Sequence, residues 1–411
     1  MFSDYRGIPW EARLLIYLSI IPNFAVGFIY TDLSYFLPEI QGIGPGLPIT
    51  VIGVTLVALS IPFGIIADRY GRLKMLVLGN VCASLSLIGF AMTSNFGLVL
   101  VVAVLEGTGE AAYAVSFVAL VAEKAGNERR TAAFSLLSIL GWIAGALGSF
   151  AISSVVLLQG VGLDARQAHI VLYIAVGLLN LSITPFIFRI KDSPTSPGRK
   201  EILPHKSAGV LVRFSAYSVI IQVGAGLFVN LMAYWFRAAY GVTDAESGLA
   251  LGITNLVTAL VVVVSPRLAR RLGVVKAVVI TQAASTIFMV AVPSSPAFTV
   301  AATVYLIRTF LMNLSNPLIQ SLVMGLVSPD ERGTAAGVSA SLWRLPNALS
   351  ASIGASLIAA NFLAAPFYIA TMLYLVAIGS FWFMFKDSRL PEERAEILSS
   401  PSSRRAWKAR K

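Results

Sequence analysis

The chain has 411 residues, of which 57% are hydrophobic and only 12% are charged, and its formal net charge is +11. Soluble globular domains carry about 25% charged residues, so a chain this apolar is expected to lie in lipid. Its single cysteine, Cys82, excludes a disulfide framework and a cysteine-based metal cluster. No phosphate-binding glycine loop follows a predicted strand, which argues against ATP-driven transport.

Twelve apolar segments of about 20 residues, the length that crosses a bilayer, follow one another along the chain. We predict spans one to twelve near 13–37, 49–67, 75–93, 97–122, 132–158, 168–190, 208–237, 246–266, 275–293, 297–325, 334–358 and 364–385. We expect no cleavable signal peptide, because many more apolar runs follow the first. A transmembrane β-barrel would instead show alternating segments of about 10 residues.

The positive charges predict the orientation of these spans. If both termini are cytoplasmic, all but four of the 31 Lys and Arg residues lie at the cytoplasmic face. The exceptions are Arg166 and Arg237 outside, and Arg308 and Arg344 within spans. We therefore predict an integral protein of the cytoplasmic (inner) membrane. The basic residues are spread over membrane loops, which favours contact with anionic lipid headgroups over nucleic-acid binding.

Span one contains an acidic residue. Asp32 lies six residues before Pro38 in the sequence, about two helical turns from the outer end of the span. A carboxylate at this depth is a candidate proton carrier. The alternative is an interfacial capping role, since aromatic residues surround it in sequence.

The loop after span two carries the most informative motif, Gly64-Ile-Ile-Ala-Asp68-Arg-Tyr-Gly71-Arg-Leu-Lys74. We interpret Gly64 as allowing close helix approach and Gly71 as permitting the tight reversal. Asp68 can accept hydrogen bonds from a helix N-terminus. The predicted gating-loop residues are Gly64, Asp68, Arg69, Gly71 and Arg72. This spacing resembles the loop between the second and third helices of the major facilitator superfamily of secondary transporters.

The resemblance implies twelve transmembrane helices in two six-helix parallel repeats around a central cavity, lined by spans one, four, seven and ten. The chain is most similar to drug/proton-antiporter-like members, with two departures. Those members often carry an arginine in span four where this chain has Ala103, and a proline in the span-five glycine motif where it has Ala146. Close helix packing alone would explain the glycines of that motif.

An internal repeat is predicted independently. The segment that begins Asn127-Glu-Arg matches the one that begins Asp330-Glu-Arg, and the Gly71 loop has a degenerate echo at Gly273, at nearly the same offset. We predict an N-terminal half at 1–190, a cytoplasmic linker at 191–207, a C-terminal half at 208–386 and a basic cytoplasmic tail at 387–411.

Charged residues inside the spans require an explanation, because inserting each one at mid-membrane costs a free energy of at least about 2.5–3.5 kcal/mol. Glu106 and Glu110 are one turn apart in span four and cannot easily both be ionised. We predict proton coupling by Glu110, Glu106 and Asp32, and we place Arg308 opposite the acidic face of span four. The alternative for the two glutamates is that they only tie helices together.

Polar and aromatic residues at helical spacing extend the predicted cavity. The candidate substrate-cavity residues are Arg308, Gln222, Asn230, Tyr234, Tyr113, Met312, Asn316 and Arg344. Such stripes usually face the bundle interior, where they contact either substrate or other helices.

The sequence thus predicts a secondary active transporter that moves a small organic solute by alternating access. We favour proton-coupled efflux of amphipathic compounds. Alternatives are proton-coupled uptake of an organic anion or zwitterionic metabolite, and a transport-inactive membrane sensor. An enzyme is not expected, because the two histidines, His169 and His205, lie far apart and suggest neither a ligand nor a general base. We expect no cofactor, no metal, no nucleic acid and a monomer.

The gating-loop interpretation predicts that Asp68→Asn lowers the transport rate while substrate affinity stays within a few-fold, since the loop would serve conformational cycling rather than binding. Initial rates and substrate binding of the purified variant measure both quantities. Full turnover by Asp68→Asn would contradict this role.

Overall fold

The computed structural model describes residues 7–191, 208–327 and 332–386, and every regular element in these ranges is helical. Ten helical segments in this part of the chain are long and apolar enough to cross a membrane. Predicted spans eight and eleven supply the other helices of the bundle. The all-α membrane fold is therefore confirmed. Residues 192–207 of the predicted linker and the whole predicted tail lie outside the described residues.

The first six spans follow one another closely, and shorter helices complete spans one, five and six. The bounds are Trp10–Leu18 and Ile20–Gln41 for span one, Gly46–Tyr70 for span two, Arg72–Met92 for span three, Phe96–Ala151 for spans four and five, Ser154–Gly160 for the end of span five, and Ala165–Ser182 with Thr184–Ile187 for span six. The long helix that carries spans four and five breaks at Gly126, whose φ is 68°.

The last six spans follow the same plan. Span seven comprises Ala208–Gly226, the 3₁₀ turn Val229–Leu231 and Met232–Tyr240; span eight comprises Asp244–Thr258 and Val261–Leu272; spans nine to twelve are Val274–Ala291, Phe298–Leu326, Arg332–Ala359 and Ala365–Phe385. The short connections after spans one, three and nine are residues 42–45, 93–95 and 292–297, and they lie in or overlap the gaps between the predicted spans.

Two glycines turn the chain in the same way in the two halves. Gly71 (φ 111°) and Gly273 (φ 78°) each lie between consecutive spans in a backbone conformation that side chains rarely adopt. Each donates its N–H to the carbonyl four residues earlier, at 3.0 Å to Ala67 and 2.8 Å to Ala269. The sequence echo between these two loops therefore corresponds to matching local geometry.

The glycine motif of span five packs directly on span one. A side chain at Gly148 would collide with the backbone of Phe24, and the backbones of Gly145 and Gly27 are in contact. Small residues let two helix backbones approach in lipid, where dispersion forces replace the hydrophobic effect. Close packing is thus what these glycines provide.

The described polar contacts between the two halves lie toward one side of the membrane. We call this side, which holds the loops after spans one and seven, the distal face, and the side of the Gly71 loop the terminal face. The contacts are Glu39–Arg237, Thr50–Ser352, Thr50–Ala348, Ser153–Ala245, Ser149–Asn255 and His169–Asp244, with Glu110–Arg344 deeper in the bundle. Small residues reinforce them, because Gly53 packs on Ala348. The structure is closed at the distal face.

The packing of span one on span five can be tested by adding one methyl group. Gly148→Ala should destabilise the protein by about 1–3 kcal/mol, because the obstacle is backbone and cannot rotate away. The thermal unfolding midpoint of the purified protein measures this effect. The matched control is Gly160→Ala, where nothing lies within 4 Å of the added Cβ and the midpoint should not fall. Equal midpoints for the two variants would contradict the packing argument.

Candidate functional site

Three side chains from both halves meet at the centre of the bundle. Arg344 Nη1 in span eleven lies 3.1 Å from Glu110 Oε2 in span four, and the Tyr30 hydroxyl in span one donates to the same oxygen at 3.0 Å. The Glu110 side chain is 10% exposed and that of Arg344 is 46% exposed. The carboxylate side chain is therefore enclosed, while the arginine side chain that neutralises it remains partly accessible.

Glu106 lies one turn away from Glu110 but has a different environment. It is buried, and it accepts a hydrogen bond from the Ser86 hydroxyl in span three. No Lys, Arg or His in the described ranges forms an ion pair with it. The glycines that flank it hold other helices close, since Gly107 meets the backbone of Ile52 in span two. Glu106 is thus a buried acid with a hydroxyl partner and no described counter-charge.

The predicted position of Arg308 is wrong. Arg308 is buried within the C-terminal half, where it donates to the Tyr374 hydroxyl at 2.7 Å. Its guanidinium also lies 4.8 Å from the centre of the Phe228 ring, a cation–π arrangement. The cation that faces span four is Arg344. Both arginines lie at similar depth in their predicted spans, and only the three-dimensional packing distinguishes them.

The polar stripe of span seven bonds to span eleven. Asn230 donates to the Asn347 side chain at 2.9 Å, and Asn347 donates in turn to Gln222 at 3.5 Å. These amides therefore satisfy one another between helices. Gln222 is buried in this network, so in this state it serves helix packing.

The other predicted cavity residues are distributed over several helices. Tyr113 stacks on Phe117 with ring centres 5.2 Å apart, and Asn316 donates to Asn313 at 2.8 Å. Tyr234 and Met312 are half-buried against the main apolar core. The structure does not bring these four side chains to Glu110.

The gating-loop residues lie at the terminal face. Arg72 Nη1 forms an ion pair with Glu123 Oε2 at 3.0 Å, which joins the start of span three to the end of span four. Arg69 lies over the ring of Tyr70. A Cβ added at Gly64 would meet no described atom within 4 Å, so the close helix approach expected there is absent in this state. The side chain of Asp68 lies outside the described part of the structure.

Asp32 belongs to a buried cluster that the sequence did not reveal. It is 1% exposed, so it is enclosed by protein on all sides. His169 Nε2 in span six lies 3.7 Å from Asp32 Oδ1 and 2.9 Å from Asp244 Oδ2, at the start of span eight. Sequence reasoning assigns no role to His169 and does not consider Asp244. Their positions along the predicted spans could have indicated the cluster, because all three residues lie near the distal ends of their spans and therefore at a similar depth in the membrane.

Solved transporter structures share this fold. A nucleoside transporter, NupG, superposes with a TM-score of 0.74 at 14% identity, covering 92% of this chain and 99% of that one. A bacterial homologue of the human lysosomal transporter Spinster gives 0.72 at 12% identity, covering 92% and 97%. The human organic anion transporter MFSD10 gives 0.64 at 17% identity, covering 91% and 100%. At these identities the likeness concerns the fold alone.

Sequence comparisons give the family. The inner membrane transport protein YajR of Escherichia coli K12 is 30% identical over 145 residues, which are 33% of this chain and 31% of YajR. The match thus spans about a third of that relative. The family model for the Major Facilitator Superfamily matches residues 15–351 and 214–411. The chain therefore belongs to the Major Facilitator Superfamily, and it is a membrane transporter rather than an enzyme.

Proposed function

We propose that this transporter couples the export of small amphipathic organic compounds to the entry of protons. The observation that carries the proposal is Glu106, a buried carboxyl group that has a hydroxyl partner and no ion-pair partner in the described ranges. A carboxyl group in such a place is stable when protonated and costly when ionised. A proton carrier requires this difference between its two forms.

The neighbouring acids support this choice, because each has a cationic or ionisable partner. Glu110 is bound by Arg344 and Tyr30, and Asp32 lies beside His169. Removing one partner of a buried ion pair leaves an uncompensated charge, so Glu110 is better suited to respond to a conformational change that moves Arg344 than to act as the proton carrier itself. The sequence predicted three candidate carriers, and their surroundings favour Glu106.

The substrate site that we propose is the space beside Arg344. The Arg344 side chain is nearly half exposed, while Tyr30 is 40% exposed and offers an aromatic surface. A solute with an apolar body and a polar end could contact the ring and the charged pair together. With the distal face closed, such a solute would enter from the terminal face, which the charge distribution predicts to be cytoplasmic.

A second candidate function is proton-coupled uptake of an organic anion or a zwitterionic metabolite. The favouring observation is again the exposed guanidinium of Arg344, which could bind a carboxylate while Glu110 binds an ammonium group. Two structural neighbours are described as nucleoside and organic anion transporters, so this fold accommodates such solutes. The direction of transport in oriented vesicles separates the two candidates.

Proton coupling predicts a specific defect in Glu106→Gln. The amide fixes the neutral form, so accumulation driven by a pH gradient should disappear while exchange of substrate down its own gradient survives. The substrate would come from drug-susceptibility and metabolite profiling of a deletion strain, and transport would be measured in proteoliposomes with an imposed pH gradient.

The matched control is Glu106→Asp, which keeps a carboxyl group and should retain pH-driven accumulation at a reduced rate. Glu110→Gln and Asp32→Asn are measured beside it. If Glu106→Gln, Glu110→Gln and Asp32→Asn all still concentrate substrate in response to the pH gradient, the proton-coupled function is wrong.

The central ion pair predicts energetic coupling between Glu110 and Arg344. Glu110→Gln and Arg344→Gln should each lower stability, and the double variant should lose less than the sum, with an interaction energy of about 0.5–3 kcal/mol. Thermal unfolding of the four proteins measures it. Arg308→Gln serves as the control for Arg344→Gln, because its partners are aromatic and its effect should add to that of Glu110→Gln. If the effects of Glu110→Gln and Arg344→Gln simply add, as those of Glu110→Gln and Arg308→Gln should, the assigned pair is wrong.

A further inference from the structure

Three buried ionisable side chains from three spans meet near the distal face, outside the central site. They are Asp32 in span one, His169 in span six and Asp244 at the start of span eight. One nitrogen or oxygen atom from each lies within 4.8 Å of the others. Asp32 and His169 belong to the N-terminal half and Asp244 to the C-terminal half, so the cluster spans the closed distal side.

The backbone fixes the orientation of the imidazole. His169 Nδ1 lies 2.7 Å from the Ala165 carbonyl oxygen, which can only accept, so Nδ1 carries the hydrogen of that bond. Nε2 is thereby directed at Asp244 and Asp32. Metal-binding histidines are commonly held in this way, with one ring nitrogen bonded to a carbonyl or carboxylate and the other free to coordinate.

The atoms of the cluster are poorly satisfied by the protein. Both carboxylate oxygens of Asp32, Oδ2 of Asp244 and Nε2 of His169 lack a hydrogen bond of acceptable geometry to any described residue. Tyr173 approaches Asp32, but its hydroxyl is also without a hydrogen bond of that quality. Two ionised carboxylates and a nitrogen lone pair facing one another in a buried site repel, so the arrangement favours a proton or a metal cation among them.

A divalent ion meets this need better than a proton. A proton on Nε2 forms a strong hydrogen bond to one carboxylate, and the cluster is then neutral only if a second proton occupies the other carboxyl group. A divalent cation contacts all three side chains and brings their summed charge to zero. Asp244 also lies in the first turn of its helix, where the helix dipole favours the ionised carboxylate that a metal requires.

We infer that Asp32, His169 and Asp244 form a binding site for a divalent transition-metal ion. One imidazole nitrogen with two carboxylate oxygens is a donor set that suits Zn²⁺, Mn²⁺ or Co²⁺. The rings of Tyr35 and Phe36 stack on His169 at 6.3 and 5.5 Å and shield the site. Because its ligands come from both halves, a bound ion holds the distal face closed and stabilises this conformation.

The test uses the full-length, tag-free protein, purified free of metal and titrated with Zn²⁺ by calorimetry. We expect one site whose occupancy raises the thermal unfolding midpoint, and no effect of Mg²⁺. His169→Gln and Asp244→Asn should weaken Zn²⁺ binding by about tenfold or more. The matched control is Glu39→Gln, which removes another acid–base contact between the same halves, to Arg237 at 3.1 Å, and should leave Zn²⁺ affinity unchanged.

A second measurement needs no variant. Co²⁺ bound by nitrogen and oxygen ligands absorbs visible light, and stoichiometric Zn²⁺ should abolish that absorption by displacing it. If the wild-type protein binds neither ion, or if His169→Gln binds Zn²⁺ as tightly as wild type, the inference is wrong. An unfolding midpoint that responds to pH and not to Zn²⁺ would overturn it by assigning the cluster to a proton instead. These readouts measure binding alone, so they do not depend on the proposed transport function.

Discussion

A charge cannot remain in the low-dielectric interior of the bundle without a partner, and this constraint assigns the buried ionisable residues their surroundings. Glu110 has a guanidinium, Arg308 has aromatic rings and a phenol, Glu106 has a hydroxyl, and Asp32 has a histidine. These four kinds of partner differ in how strongly they stabilise the charged form. A full ion pair fixes the charged form, whereas a single hydroxyl leaves the carboxyl group free to be neutral. The choice of partner thus separates structural charges from a candidate carrier.

Alternating access also requires that the two halves can separate at the distal face at a small cost in free energy. The described contacts there are hydrogen bonds and ion pairs, together with small residues of span two packed on span eleven and of span eight packed on span five, among them Gly53 on Ala348 and Gly248 on the Ser149 carbonyl. Partly exposed ion pairs such as Glu39–Arg237 are individually worth about 0–1 kcal/mol. Within each half, glycine contacts such as Gly148 on Phe24 likewise bring helix backbones together. Separation of the halves therefore has to break both the polar contacts and this packing.

The sequence predicted those features that depend on local physics. Hydropathy located the spans, and the requirement for positive φ located the turn at Gly71. The partner of each buried charge could not be predicted from the sequence, because it depends on which face of a helix meets which neighbouring helix. Arg308 and Arg344 look alike in sequence, yet only Arg344 reaches span four. The roles of the site residues stay predictions, and His169 was missed because its partners are remote in sequence.

The distribution of the central side chains between the halves has a consequence for coupling. Tyr30 and Glu110 belong to the N-terminal half and Arg344 to the C-terminal half. When the halves separate at this level, Glu110 keeps its hydroxyl partner and loses its counter-charge. The acidic pair of span four then holds two carboxyl groups supported only by Tyr30 and Ser86 among the described contacts. At that point a proton or the cationic end of a solute is needed to neutralise the pair, and the two compete for it. Under the proposed proton coupling, such competition would link proton binding to solute binding, and it follows from which half carries each residue.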